Sequence, residues 1–217
     1  MSIEILRTEV KRLCQVEIKY IALEDAPRYH LSVESPANVR NGNEVYVIDC
    51  IPEEEKLQAE AHELGHIFIR EMGLISFQPK GSEPFDFLLL ELNNALSHRF
   101  VIEILSSRFY ISNAFHLKLR TESLESIVQD INDFKEEVEL LHAFGLRLYD
   151  IYKMIADLKN EVERLAGIND GVNASFSAAK TYLEPLQPET PKKEQESAIN
   201  SYLNYLGYNK DMNDIFM

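Results

Sequence analysis

The stretch AEAHELGHIF, residues 59–68, holds two histidines four positions apart with a glutamate directly after the first. On a helix, residues four apart stand above one another, so His62 and His66 can present two imidazoles to one metal ion while Glu63 is displaced toward the edge of the same site. Neutral imidazoles at this spacing suit Zn²⁺, which lowers the pKa of a bound water toward ~7, and the adjacent carboxylate can take that proton as the water attacks a carbonyl. In this reading Glu63 is a general base and not a ligand. The competing reading makes the histidines ordinary, partly buried helix residues and Glu63 a solvated charge.

A catalytic zinc takes three protein ligands and keeps one position open. Ile67, Phe68, Ile69, Arg70, Glu71 and Met72 follow His66 and lack the Gly and third His of the metzincin extension, so the third ligand is sought further on. Glu91, 91 − 66 = 25 residues beyond His66, lies in the otherwise apolar run LLLELNNALSHRF. A charge there needs a partner; a metal is one, and solvent at a helix edge or Arg99 are the others. Glu83 and Asp86 are nearer to His66 in sequence but fall in a Pro- and Gly-bearing stretch, a less rigid place for a ligand than a helix. Asn94 is spaced to hydrogen-bond Glu91. His98, seven residues after Glu91, lies about 10 Å along the same helix face, too far to share an ion with it. It is a candidate to stabilise the oxyanion of a tetrahedral intermediate, as are Tyr110 and His116. His30 and His142 have no supporting context.

Ile3, Leu6, Val10 and Leu13 predict an opening helix within 3–16. VEIKYIAL (16–23) and RYHLSVES (28–35) alternate like strands around an EDAP turn, and Asn41-Gly42 turns the chain into a third strand over Glu44–Ile51. Pro52, the acids Glu53–Glu55 and Gly73 bracket a helix carrying AHELGH. An irregular loop over 74–87 follows, then helical sequence over 87–109. From 121 to 166 the pattern predicts two helices broken near Ala143-Phe144-Gly145. GINDGVN and PLQPETPKKEQES have linker composition, and AINSYLNYLG predicts a short helix. The expected fold is α+β: a small antiparallel sheet with a metal-binding helix pair over 1–120, then a mainly α-helical C-terminal region over 121–217 with a linker near 186–197. The strand Glu44–Ile51, leading into the metal helix, could pair with an extended substrate by strand addition.

Twenty-two basic against 36 acidic residues give a net charge of −14. That field repels nucleic-acid backbones and anionic membrane surfaces and favours a basic partner. Lys192-Lys193 are flanked by Glu189, Glu194 and Glu196. Cys14 and Cys50 make no disulfide framework, which fits a reducing cytoplasmic setting. The charged, helically periodic N-terminus does not have the form of a signal peptide, and Glu91 interrupts the most apolar run, so no membrane span is expected.

An opening helix and short strands, AHELGH, an irregular loop and a second helix bearing Glu91 resemble the HExxH-plus-Glu zinc peptidases (gluzincins), and among them the ImmA/IrrE family of small intracellular metallopeptidase-like proteins, over about residues 1–110. The resemblance implies Zn²⁺ as cofactor, His62, His66 and Glu91 as its ligands and Glu63 as the general base. It further implies hydrolysis of a peptide bond in a protein substrate, as in limited proteolysis of a regulatory protein such as a repressor. The alternative expectation is a metal-stabilised protein-binding or regulatory module without turnover, its helical half engaging another protein; a metal-free relic is the third.

Overall fold

The computed structural model describes residues 3–77 and 84–208, and its small sheet among many helices gives the expected α+β class. Two compact units share the chain: residues up to Met72 with Phe100–Arg120, and Gly73–Arg99 with the chain from Thr121 onward. The stretch Gly73–Arg99 therefore belongs with the C-terminal helices.

In the first unit, α1 (Ile3–Leu13) buries Leu6 and Val10, while Leu13 stays exposed. The strands are β1 (Glu17–Ile21), β2 (Ala37–Arg40) and β3 (Glu44–Ile48), in sheet order β1-β3-β2. β3 runs parallel to β1, Glu17 opposite Glu44 and Ile21 opposite Ile48, and antiparallel to β2. The sheet is thus mixed where an antiparallel one was expected. A tight loop forces β2 and β3 to be antiparallel, whereas the long excursion after β1 lets β3 return beside it in the same direction.

The strand expected over 28–35 does not form. Pro27 opens a 3₁₀ turn, Ala26–Tyr29, closed by His30 at φ 54°, and pairing begins only after Pro36. The Asn-Gly turn forms as expected, with Asn41 at φ 51° and Gly42 at φ 78°. β3 is the central strand, so its two edges are already occupied by β1 and β2 and it cannot receive a substrate strand.

β3 leads into α2 (Glu53–Glu71), capped by Pro52, with Glu53–Glu55 in its first turn and Gly73 at φ 114° beyond its end. The α2 helix is the element the local signals predicted. The α3 helix (Pro84–Ile104) continues into a π turn, Leu105–Phe109, which closes at Tyr110 with Ile111 N–H donating to Leu105 O at 2.8 Å. Asp86 lies in the first turn of α3 and not in a loop, and Glu83 lies outside the described residues. Next comes α4 (Ala114–Glu122).

The second unit is helical: the part of α3 up to Arg99, α5 (Ile127–Asp133), α6 (Val138–Met154), α7 (Lys159–Ala166), α8 (Asp170–Tyr182) and α9 (Lys192–Tyr205). The α6 helix runs unbroken through Ala143-Phe144-Gly145, contrary to the expected break. Gly145 marks a close helix crossing: a Cβ there would lie 2.5 Å from Val172 O and 2.6 Å from Ser175 Cβ. Asn169 caps α8, accepting from Gly171 N–H at 2.8 Å. Pro191 caps α9, so residues from Lys192 that read as linker are helical. Buried Gln195 of α9 donates to Gly73 O at 3.0 Å and accepts from Ile75 N–H at 2.9 Å, tying down the start of this unit. Among the described residues no helix is long and apolar enough to cross a membrane.

Candidate metal centre

The α2 helix turns His62 and His66 onto one face, their rings edge to face at 84° with Nε2 atoms 3.1 Å apart. Zn–N bonds of ~2.0–2.1 Å at a tetrahedral angle hold two ligand nitrogens about 3.3 Å apart, so the pair fits one ion. One ligand atom from each of His62, Glu63 and His66 lies within 4.8 Å of the others, a group that could hold a metal ion. His62 is buried, and Glu63 and His66 are half-buried.

Packing within the first unit explains how the motif is seated. Between Glu63 and His66, Gly65 leaves room for α3: a Cβ there would lie 2.7 Å from Val101 Cγ1. One turn before His62, Gln58 Oε1 accepts from Phe115 N–H at 2.9 Å, which pins the first turn of α4 to α2. The next residue, His116, stacks on His62 with centroids 3.7 Å apart and planes 18° from parallel. On another side of α2, fully buried Glu60 accepts from Arg7 Nε and Nη2 at 2.6 Å each and from the Tyr20 hydroxyl at 2.5 Å. That network joins α1, β1 and α2 directly beneath the motif.

Burial sets the protonation states, joined at His62 by the neighbouring His116 and His66 rings and, at all four groups, by the charge of Arg120 on α4. It drives His62 and His116 well below the usual imidazole range and His66 down to about 4. It pushes Glu63 up to about 7, against the opposing pull of Arg120. Neutral imidazoles are the ligand form, and a carboxylate titrating near 7 can both accept and return a proton at neutral pH.

Glu91 and His98 belong to the second unit. Glu91, 2 % exposed, finds the partner its apolar run demanded in Arg147 of α6, whose Nη2 and Nε donate to its Oε1 at 2.8 and 3.0 Å. Asn94 donates to the other oxygen at 3.3 Å, the hydrogen bond its spacing predicted. Arg99, the partner weighed from sequence, instead donates to Glu184 O at 2.9 Å and to Leu186 O. His98 places its Nδ1 2.7 Å from Asp150 Oδ2, and both residues are buried.

Of the other candidates, the structure brings His116 to the HExxH pair, whereas Tyr110 is 66 % exposed at the end of the π turn. His142 is buried with its Nδ1 2.8 Å from the Tyr208 hydroxyl. Sequence reading missed Gln58, Glu60, Arg120, Arg147 and Asp150. Only Glu60 carried a local signal, as an acid between two alanines on a helix with buried faces.

No protein-family model, curated protein or solved structure matches the chain.

Proposed function

We propose that the chain is a zinc-dependent hydrolase acting on a peptide bond of a protein or peptide, with His62 and His66 as metal ligands and Glu63 as general base. The observation that carries this reading is the 3.1 Å separation of the two Nε2 atoms beside a carboxylate held near neutrality. When bound, Zn²⁺ would supply polarisation of the scissile carbonyl and acidify a water. Glu63 takes the proton of the attacking water and returns it to the leaving amine. The π turn and α4 hold His116 against His62 and so restrict the ligand ring to one orientation.

For the third protein ligand, the resemblance to the ImmA/IrrE family names Glu91 and the first unit offers His116. One ligand atom of His116 lies within 4.8 Å of one of His62. The free thiols of Cys14 and Cys50 agree with a reducing cytoplasmic location, and the net charge of −14 favours a basic partner surface. Limited proteolysis of a regulatory protein is the substrate class we infer. The test compares wild type and Glu63→Gln on proteins co-expressed from the chain's own source. Cleavage should fall at least ~10²-fold while zinc is retained. Equal biological effect of the two proteins would make the chain a metal-stabilised binding module instead.

A further inference from the structure

In the second unit, large apolar side chains are left in water around a single turn. The α5 helix buries Ile127 and Ile131 but leaves Val128 39 % exposed, with Phe134 at its end 39 % exposed and Val138, the first residue of α6, 52 %. Phe134 N–H donates to Asp130 O at 3.0 Å and Glu137 N–H donates to Phe134 O at 2.9 Å. A turn of this kind brings its first and last Cα atoms within about 7 Å, so Val138 follows directly beside Phe134. The Phe134 ring is rooted in the core: its centroid lies 6.3 Å from that of buried Phe144, which in turn meets Phe87 at 6.4 Å. An aromatic ring held on one side and open on the other loses little freedom when a partner covers it.

The charge around these residues indicates what would cover them. Glu125, Asp130, Asp133, Glu136, Glu137 and Glu139 stand against Lys135 alone, so the net charge over residues 125–139 is 1 − 6 = −5. Glu125, Asp133, Glu136 and Glu137 are exposed, and among the described residues no basic side chain pairs with them. Acids at 136, 137 and 139 also suit the start of α6, where they meet the helix N-terminus. That accounts for the acids but not for the three exposed apolar side chains beside them, a grouping that marks a contact surface. An apolar centre with an acidic rim repels nucleic acid and anionic lipid, and complements a protein segment in which apolar residues are interleaved with Lys or Arg. We propose that the turn between α5 and α6 is a docking surface for such a basic amphipathic segment of a partner protein. The proposal does not depend on the hydrolase reading, because every residue in it belongs to the second unit.

The experiment titrates the full chain into a fluorescent peptide, LKKLLKLLKKLL, and reads anisotropy at about 0.15 M salt. Two control peptides replace its leucines by serine or its lysines by glutamate. Wild type should bind the Lys/Leu peptide at least about ten-fold more tightly than the Lys/Ser peptide, and the Glu/Leu peptide not at all. Val138→Ser and the double variant Glu136→Lys/Glu137→Lys should each weaken binding of the Lys/Leu peptide by a similar factor. Phe134→Ser should do the same, read beside its thermal melt because its ring touches Phe144. The double variant Leu23→Ser/Val33→Ser removes apolar residues 51 % and 53 % exposed in the first unit and should leave the affinity unchanged. His62→Ala should also leave it unchanged, so failure of the metal centre and failure of this surface are read separately. No binding by wild type, unchanged affinity in Val138→Ser or in the charge reversal, or an equal loss in the Leu23 and Val33 control would overturn the proposal. Sedimentation of wild type beside Val138→Ser closes the test: self-association abolished by the substitution would assign the surface to a second copy of the chain and overturn the basic partner, whereas unchanged sedimentation supports it.

Discussion

At the scale of single residues, Glu63 and its neighbouring imidazoles respond to pH in opposite senses. Burial raises Glu63 to about 7 in the metal-free chain and a bound Zn²⁺ would pull it down, so cleavage should rise with pH and level off at or below about 7; a rate that falls as pH rises from 5 to 7 would contradict its role as base. Stability of the metal-free chain has the reverse sign for Glu63. A raised folded pKa contributes stability below the unfolded value of about 4.5, lost as pH climbs through about 7. His62, His66 and His116 are depressed, so their stability is present above about 6.5 and lost as pH falls toward the folded values, about 4 for His66. Three groups outweigh one, and thermal scans of the metal-free chain should show melting temperature rising between pH 4 and 6.5.

The third-ligand position is also decided by single residues. Glu91→Gln weakens the partner of Arg147, whose side chain is 17 % exposed, and should cost stability, up to the ~3–5 kcal/mol of a broken buried pair. His116→Ala should instead lower zinc affinity with a smaller effect on the second unit. Metal analysis and denaturant melts of the two variants separate these effects; loss of zinc in Glu91→Gln alone would return the ligand to Glu91.

At the scale of elements, two helical glycines make a paired prediction. Gly65→Ala drives a methyl to 2.7 Å from the side chain of Val101, which can shift only slightly. We expect a loss of about 1–3 kcal/mol in denaturant melts, in part relieved by adding Val101→Ala. Gly145→Ala meets the Val172 carbonyl at 2.5 Å and should cost more, because backbone cannot move aside as a side-chain tip can. Gly145 also shows where sequence reading fails. A glycine in an otherwise periodic stretch reads locally as a break, whereas its reason here is a helix 27 residues further along the chain, from Gly145 to Val172.

What was legible is what neighbouring residues encode. Pro52, Glu53–Glu55 and Gly73 bound α2, Asn41-Gly42 turns a hairpin, and His62 and His66 share one helical face. The parallel pairing of β1 with β3, the placement of His116 on His62 and the Glu91–Arg147 pair each join distant stretches, and no local period encodes them. The strand expected over 28–35 failed for a local reason: Pro27 and Pro36 remove N–H donors at both ends of it.

At the scale of the whole molecule, the first unit carries HExxH, His116 and Arg120, and the second is a helical body held by its own buried pairs, Glu91–Arg147 and His98–Asp150. The central claim is that His62 and His66 hold zinc. Metal analysis of the full chain purified without added zinc tests it most directly, read beside the thermal melt before and after chelation. Wild type should carry close to one equivalent and melt lower once stripped, and His62→Ala and His66→Ala should each carry little. A wild-type chain without metal, whose melt is unchanged by chelator or by added zinc, would contradict the account.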